Sequence, residues 1–489
     1  MVNRLKSLLF QNRGTRQTIV KNVFWLSISQ VGSRLIRAVI IIYAARVLGA
    51  AEYGIFSYVL GLAGFFTIFA DMGVNAILTK DAAGHPERRG ESFSTSFWIK
   101  MFLFLITALL VVLVAPHFSK IEQAAVLIPL VAFLIVFDGI KDFFVAFLRG
   151  LEKMEWESFI VTAMNIMIMV AGFIILSFSH TAKALIISYI ASVGFSAILG
   201  IIVLKKWFAK IFYFSKVLAR QIINTAWPLA FSAALGAFML NTDIIMLGWW
   251  RTAEEIGYYS AAQRIIGILY TLPAIFASAV FPALSRFTRQ NEQRKTKELN
   301  EKSMTIIFLI AIPLIVGGFI LSQPIINLIF GQEYLPAASA LNILITTLIF
   351  AFPGALLFNF VIAYDQQKKM VYYVAVGALG NIILNILLIP IYGIIGSAIA
   401  TFIAQFLYYG LTWLRIKKIT NIQIFPYLKK IIVSAIIMGI FCFIFDKLKL
   451  NAVVNIIVSA GIYLGTLYLM KEEILKEIIS LFKNRSIIN

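Results

Sequence analysis

Two arginines, Arg34 and Arg37, stand three residues apart inside the first long apolar run, and Ser27 and Gln30 continue their stripe at helical spacing. A guanidinium holds its charge in any surroundings and presents paired N–H donors that match phosphate oxygens, so such a stripe reads as an anion-binding face. A later run carries Ser260, Arg264 and Thr271 along one side. Arg34, Arg37 and Arg264 are therefore the candidate substrate contacts, for an anionic phosphate group. Acids lie within apolar runs as well. Thr67, Asp71 and Asn75 recur at spacing four, Asp138, Lys141 and Asp142 form a self-neutralising cluster, and Asp243 has no cation within a turn of it in the sequence. Asp243, Asp71 and Asp138 are the candidates for coupling to H+ or Na+. Each group also has a purely structural reading. The arginines would pair with Asp71 or Asp243 to pin helices together, and the acids would serve nearby cations. A charge at a lipid-facing helix centre costs about 2.5–3.5 kcal/mol, so the expected place for the arginines is a water-filled cavity between two halves of a bundle.

Other chemistry is poorly served. Cys442 is the single cysteine, and His85, His117 and His180 lack ligand-like neighbours at i+3 or i+4, so neither a disulfide framework nor a metal site is expected. No Gly-x-x-x-x-Gly-Lys-Ser/Thr loop occurs. The expectation is no cofactor, no catalytic residue and no ATP hydrolysis through that loop. Energy would come from an ion gradient, the membrane potential or removal of product.

The elements that must hold these charges follow from composition. Of 489 residues, 61% are hydrophobic and 13% charged, with a mean hydropathy of +0.90. A soluble chain is nearer half apolar and a quarter charged. A cytosolic enzyme, a secreted module and a disordered chain are thereby excluded, and lipid is left as the solvent. Breaks at charged, Pro and Gly residues leave about fourteen apolar runs, each near the roughly 20 residues a helix needs to span hydrocarbon. Unbroken runs argue against a barrel, whose strands alternate. With both termini placed in the cytoplasm, the tails and cytoplasmic loops hold about 32 Lys and Arg against about 6 on the other side. The net charge of +20 is then mostly positive-inside bias, and nucleic acid is not needed as a partner. The first run is long and lacks a small-x-small site after it, so no cleaved leader is expected. Leu5, Leu8, Leu9 and Phe10 among Arg4, Lys6 and Arg13 read as an interfacial helix, and Lys471–Lys483 reads similarly.

The chain also repeats itself. Leu48-Gly49 followed by Glu52-Tyr53-Gly54-Ile55-Phe56-Ser57 has its counterpart in Leu247-Gly248 followed by Glu255-Ile256-Gly257-Tyr258-Tyr259-Ser260. Glu152-Lys153-Met154 with Asn165 parallels Lys368-Lys369-Met370 with Asn381. Six spans separate the members of each pair, so the halves are parallel repeats about an axis along the membrane normal. The expected fold is an all-α integral membrane protein with two parallel six-helix lobes and two further C-terminal helices. The expected divisions are 1–214, 215–420 and 421–489. Asn381 with Asn385, and Ser397, Thr401 and Gln405, form polar rows read mainly as interhelical hydrogen bonding. Pro228, Pro273, Pro282 and Pro313 are read as kinks or helix ends.

These motifs resemble a known family. Asp243-Ile-Ile-Met246-Leu247-Gly248 with Glu255-Ile-Gly257-Tyr258-Tyr259-Ser260-Ala261-Ala262 is similar to the signature of Wzx-type oligosaccharide flippases. They are the polysaccharide-export branch of the multidrug/oligosaccharidyl-lipid/polysaccharide exporter superfamily. Ala45-Arg46-Val47-Leu48-Gly49 through Glu52-Tyr53-Gly54, then Asp71-Met72-Gly73, resembles that family's opening. The resemblance covers essentially the whole chain and identifies the branch, not the sugar. It implies a transporter rather than an enzyme, in the cell membrane, whose partners are membrane lipids and a lipid-linked oligosaccharide. The cargo would be linked through a polyprenyl (pyro)phosphate and moved by a monomer from the cytoplasmic to the outer leaflet, by alternating access through a central cationic cavity. The competing readings are a multidrug or metabolite cation antiporter of the same superfamily and a flippase for a peptidoglycan precursor. A membrane glycosyltransferase is a third, disfavoured because the longest internal loop, near Arg286–Lys302, is basic rather than rich in acids or histidines.

Overall fold

The computed structural model describes residues 15–420 and 422–477, which form helices and short connections with no strand among them. The expected interfacial helix at residues 4–13 lies outside the described residues, as does the end of the C-terminal one after residue 477.

Two compact units, Met1–Gly257 and Tyr258–Asn489, divide the chain. The first holds α1 (Thr15–Asp71), α2 (Val74–Gly84), α3 (Arg89–Leu113), α4 (Glu122–Gly150), α5 (Met154–Phe178), α6 (Ala182–Leu204) and α7 (Lys216–Trp250). At its end begins α8 (Ala253–Leu269). The second unit continues with α9 (Thr271–Arg289), α10 (Gln293–Ile320), α11 (Ser322–Phe330), α12 (Ala337–Thr346) and α13 (Leu348–Ala363). It ends with α14 (Gln367–Thr420), α15 (Phe425–Lys447) and α16 (Ala452–Leu469). The repeat would divide the lobes at 214/215, whereas the compact units part after Gly257, because α7 packs on α1, α2 and α3.

The signature of a lipid-solvated chain is plainest in α3. It buries Ser94, Thr95, Ser96, Lys100 and Thr107 and turns Phe102, Leu105, Leu109 and Leu113 outward. A helix on a water-soluble core does the reverse. In hydrocarbon the outer apolar stripe is well solvated, and polar side chains gain partners only by facing neighbouring helices. Among the described residues, ten helices are long and apolar enough to cross a membrane, or eleven if α12 and α13, bent by 43°, form one span. The chain is thus an all-helical, multi-pass membrane protein.

Fourteen spans were expected, and that exact number is not confirmed by the candidate helices. Part of the difference is two long helices that each swallow two expected runs. Straight, the 57 residues of α1 would reach about 85 Å at 1.5 Å per residue, against a hydrocarbon core of about 30 Å. It turns instead at Gly49, with φ 74° and ψ 173°, a conformation open only to glycine. The 54-residue α14 turns at Gly393, with φ 58° and ψ −132°.

Inside the first unit Phe93, Phe143, Phe144 and Phe147 are fully buried with Leu148, Ile160 and Leu204. Phe93 lies 5.2 Å from the Phe143 ring and 4.8 Å from Phe147. Pro228, Pro282 and Pro313 sit inside α7, α9 and α10. Pro273 stands near the start of α9, after the break at Tyr270, where its missing N–H is harmless. In α6 the Ala182 N–H donates to Glu52 Oε2 at 2.6 Å and Ala184 N–H to Thr181 Oγ1 at 3.3 Å. Glu52 thus acts as a cap supplied from another helix, with its negative charge at a positive helix end. Glu52→Ala is expected to lower stability by about 1 kcal/mol, read as an earlier thermal unfolding in detergent with transport retained.

Candidate functional site

Gln30, Arg34 and Arg37 form an exposed polar stripe on α1, and farther along the helix Ile40, Ile41, Ala44 and Ala45 are buried. Arg37 is held from the side. Its Nε and Nη2 both donate to Asn165 Oδ1, at 3.2 and 3.1 Å. Asn165 is 1% exposed, and its Nδ2 donates to Val161 O at 2.7 Å, which turns the amide oxygen toward the arginine. A neutral acceptor orients the guanidinium without cancelling its charge, and donors remain for a ligand.

The carboxylates are spent differently. Lys100, 1% exposed, donates to Asp71 Oδ1 at 2.8 Å and lies over the Phe104 ring at 5.0 Å. Lys141 lies between Asp138 at 2.7 Å and Asp142 at 2.9 Å, so the cluster read from the sequence neutralises itself in large part. Asp71 therefore takes a lysine rather than an arginine as its partner. Thr67 donates to Ala63 O of its own helix. Among the described residues no carboxylate forms an ion pair with Arg34, Arg37 or Arg264. Asp243, on α7, is 2% exposed.

In the second unit Arg264 is half-buried on α8. The polar rows there largely serve packing. Gln405 Nε2 donates to Tyr270 Oη at 3.0 Å, Tyr270 also meets Thr347 Oγ1 at 2.7 Å, and Thr401 meets Tyr259 Oη at 3.4 Å. Asn385 Nδ2 donates to Asn381 Oδ1 at 3.0 Å. No group of His, Cys, Asp and Glu among the described residues is arranged to hold a metal ion.

Three partners escaped the sequence reading. Lys100 was given no role from the sequence, although Ser96, Lys100 and Phe104 at spacing four already mark one helix face. Lys21, which is buried, pairs with Glu155 at 2.8 Å. Asn165 stood out only as a mark of the repeat.

The sequence profile of the family described as polysaccharide biosynthesis protein matches residues 19–288, more than half of the chain. The chain belongs to that family. A second profile, MatE, matches residues 228–387. Among relatives, the probable low-salt glycan biosynthesis flippase Agl15 of Haloferax volcanii is 24% identical over 80% of this chain and 80% of its own. A putative O-antigen transporter of Shigella flexneri is 24% identical over 78% of this chain and 94% of its own. The fold matches the lipid II flippase MurJ in its inward closed conformation, with a TM-score of 0.72 and 19% identity over 92% of this chain and 98% of that one. An inward-facing multidrug resistance MATE transporter matches with a TM-score of 0.63 and 16% identity, over 82% and 99%. This member of the polysaccharide biosynthesis family thus has the fold of the multidrug/oligosaccharidyl-lipid/polysaccharide exporter superfamily, as the motifs at Gly49–Gly54 and Gly248–Gly257 implied. The expectation of a transporter rather than an enzyme agrees with the names of these relatives.

Proposed function

We propose that the protein is a flippase that carries a polyprenyl-(pyro)phosphate-linked oligosaccharide from the cytoplasmic to the outer leaflet of the cell membrane. In this reading it works as a monomer with both termini cytoplasmic, by alternating access, with the prenyl tail left in the bilayer. One observation carries the reading: the cations left without acids are arginines. Asp71, Asp138 and Asp142 are taken up by Lys100 and Lys141, while Arg34 and Arg37 stand exposed on an apolar helix and, among the described residues, form no ion pair. An ionised phosphate costs tens of kcal/mol in bare hydrocarbon before relaxation, and surplus guanidinium charge is what offsets that cost. Arg34 and Arg37 are the phosphate contacts of the first unit, and Arg264 is the candidate in the second. The relatives named as glycan flippases and O-antigen transporters support the same cargo class. A carrier of organic cations would need the reverse balance, with acids left over.

The coupling candidate in this reading is Asp243, a carboxylate buried on α7 within an apolar run. Asp243→Asn is expected to leave translocation insensitive to an imposed H+ or Na+ gradient. An unchanged gradient dependence would remove Asp243 from that role.

The whole reading is tested with purified protein in vesicles that carry a fluorescent polyprenyl-diphosphate oligosaccharide in one leaflet, scored by its protection from a membrane-impermeant quencher. Expected is protein-dependent loss of protection, with slower movement of a lipid-linked peptidoglycan precursor and none of a cationic drug. Transport of the drug alone would overturn the proposal.

A further inference from the structure

A second arginine is held the way Arg37 is. Arg415, half-buried near the end of α14, donates from Nε and Nη2 to one oxygen, Gln366 Oε1, at 3.1 and 2.9 Å. Gln366 is fixed in turn. Its Nε2 donates to Tyr364 O at 3.0 Å, and its backbone N–H donates to Val361 O at 2.8 Å, closing the turn that ends α13. Because α14 doubles back at Gly393, Gln366, one residue before its start, meets Arg415 in its last turns. That end of the helix also carries Lys369, Lys417 and Lys418, all exposed, with Lys418 one turn beyond Arg415. The acid nearest in sequence to Gln366 is Asp365, and among the described residues it forms no ion pair with any of these cations. The other guanidinium N–H donors of Arg415 meet no acceptor among the described residues.

We propose that Arg415 is the centre of a second phosphate site, for the headgroup of a lipid in the cytoplasmic leaflet, with Lys418 beside it and Gln366 as its positioning residue. The choice of leaflet rests on the flippase reading, whose cytoplasmic termini put this end of α14 inside, where unneutralised lysines also belong. Three features point to a ligand rather than a tether. A tether between α14 and the α13 turn would be stronger with a carboxylate at 366, whereas an amide fixes the guanidinium and leaves its charge unspent. The ordering of a long side chain is met before the ligand arrives. Finally, Leu414, Ile419 and Tyr372 are exposed apolar or aromatic side chains among the cations, so the patch borders lipid-facing surface and a phosphate reaches it on a lipid.

The test uses purified full-length chain with Cys442→Ser and Ile419→Cys, carrying an environment-sensitive maleimide dye at position 419. It is titrated in detergent with a polyprenyl diphosphate, with phosphatidylglycerol, and with zwitterionic phosphatidylcholine as the control. Expected is a saturable response to an anionic lipid and none to the control. Gln366→Glu is expected to weaken that binding at least tenfold while unfolding no earlier than the parent, because the new ion pair keeps the tether and cancels the charge. Undiminished affinity in Gln366→Glu, or no saturable response of the parent to either anionic lipid, would overturn the site. Should Gln366→Glu not fold, Arg415→Lys keeps the charge without the fork; severalfold weaker binding is expected, and parent affinity would equally overturn it. The two anionic lipids identify the source. Tighter binding of the diphosphate assigns the site to the cargo, comparable binding assigns it to bulk anionic phospholipid, and both support a lipid-phosphate site. A parent that binds lipid here yet moves no glycan would refute the flippase reading and leave the site standing.

Discussion

Arg37→Ala is expected to cut translocation of a lipid-linked oligosaccharide about 10- to 100-fold, the loss of roughly 1.5–3 kcal/mol that a hydrogen bond to a charged group contributes, at 1.4 kcal/mol per factor of ten. The reason lies in how Arg37 is presented. Two of its nitrogens are spent on the single oxygen of Asn165, and that acceptor is turned by its own bond to Val161. The guanidinium is thereby held without being neutralised, and the ordering cost of a long side chain is met before any phosphate arrives. Arg37→Lys keeps the charge and loses the planar fork, so it should recover only part of the rate. Asn165→Ala leaves the charge and frees its orientation; it should raise the cargo concentration needed for half-maximal rate more than it lowers the limiting rate. If Arg37→Lys moves the glycan at the parent rate, phosphate capture by a paired-donor fork is wrong.

The same residues show what could be read before any coordinates. The lipid-facing class followed from composition, because 61% hydrophobic residues cannot be hidden in one core. The arginine stripe was legible because spacing on a helix maps directly onto a face, and Gln30, Arg34 and Arg37 do lie exposed together. Partners across helices were not legible. Lys100 and Asp71 are 29 residues apart and Arg37 and Asn165 are 128 apart, and nothing in a local pattern says which faces will meet. The division of the helices was not legible for a related reason. A glycine that turns a helix and a glycine that packs one look alike in sequence, and only φ and ψ separate Gly49 from Gly54. Gly54 and Gly257 were visible as family-like marks, while the demand behind them, a backbone contact too close for any Cβ, belongs to the packing of α1 on the start of α8.

Lys100→Met carries the largest expected effect on stability. Removing one member of a buried ion pair costs about 3–5 kcal/mol, because the partner is left as an uncompensated charge. Lys100 is 1% exposed while the Asp71 side chain is 33% exposed, so water relieves part of the loss and the lower end, about 3 kcal/mol, is expected. Methionine keeps the length of the lysine stem against Phe104, which the ammonium approaches at 5.0 Å, so packing is spared and charge is what changes. The measurement is a double-mutant cycle on unfolding in detergent. Lys100→Met alone should unfold earliest, Asp71→Asn alone should cost nearly as much by stranding the buried ammonium, and the double variant should recover most of the difference. Pair removal that is additive would mean the two groups do not stabilise each other, and Asp71 would then return to the set of acids free to bind a coupling ion. Non-additivity of the expected sign fixes Asp71 as a structural partner and leaves the surplus positive charge of this lobe with Arg34 and Arg37.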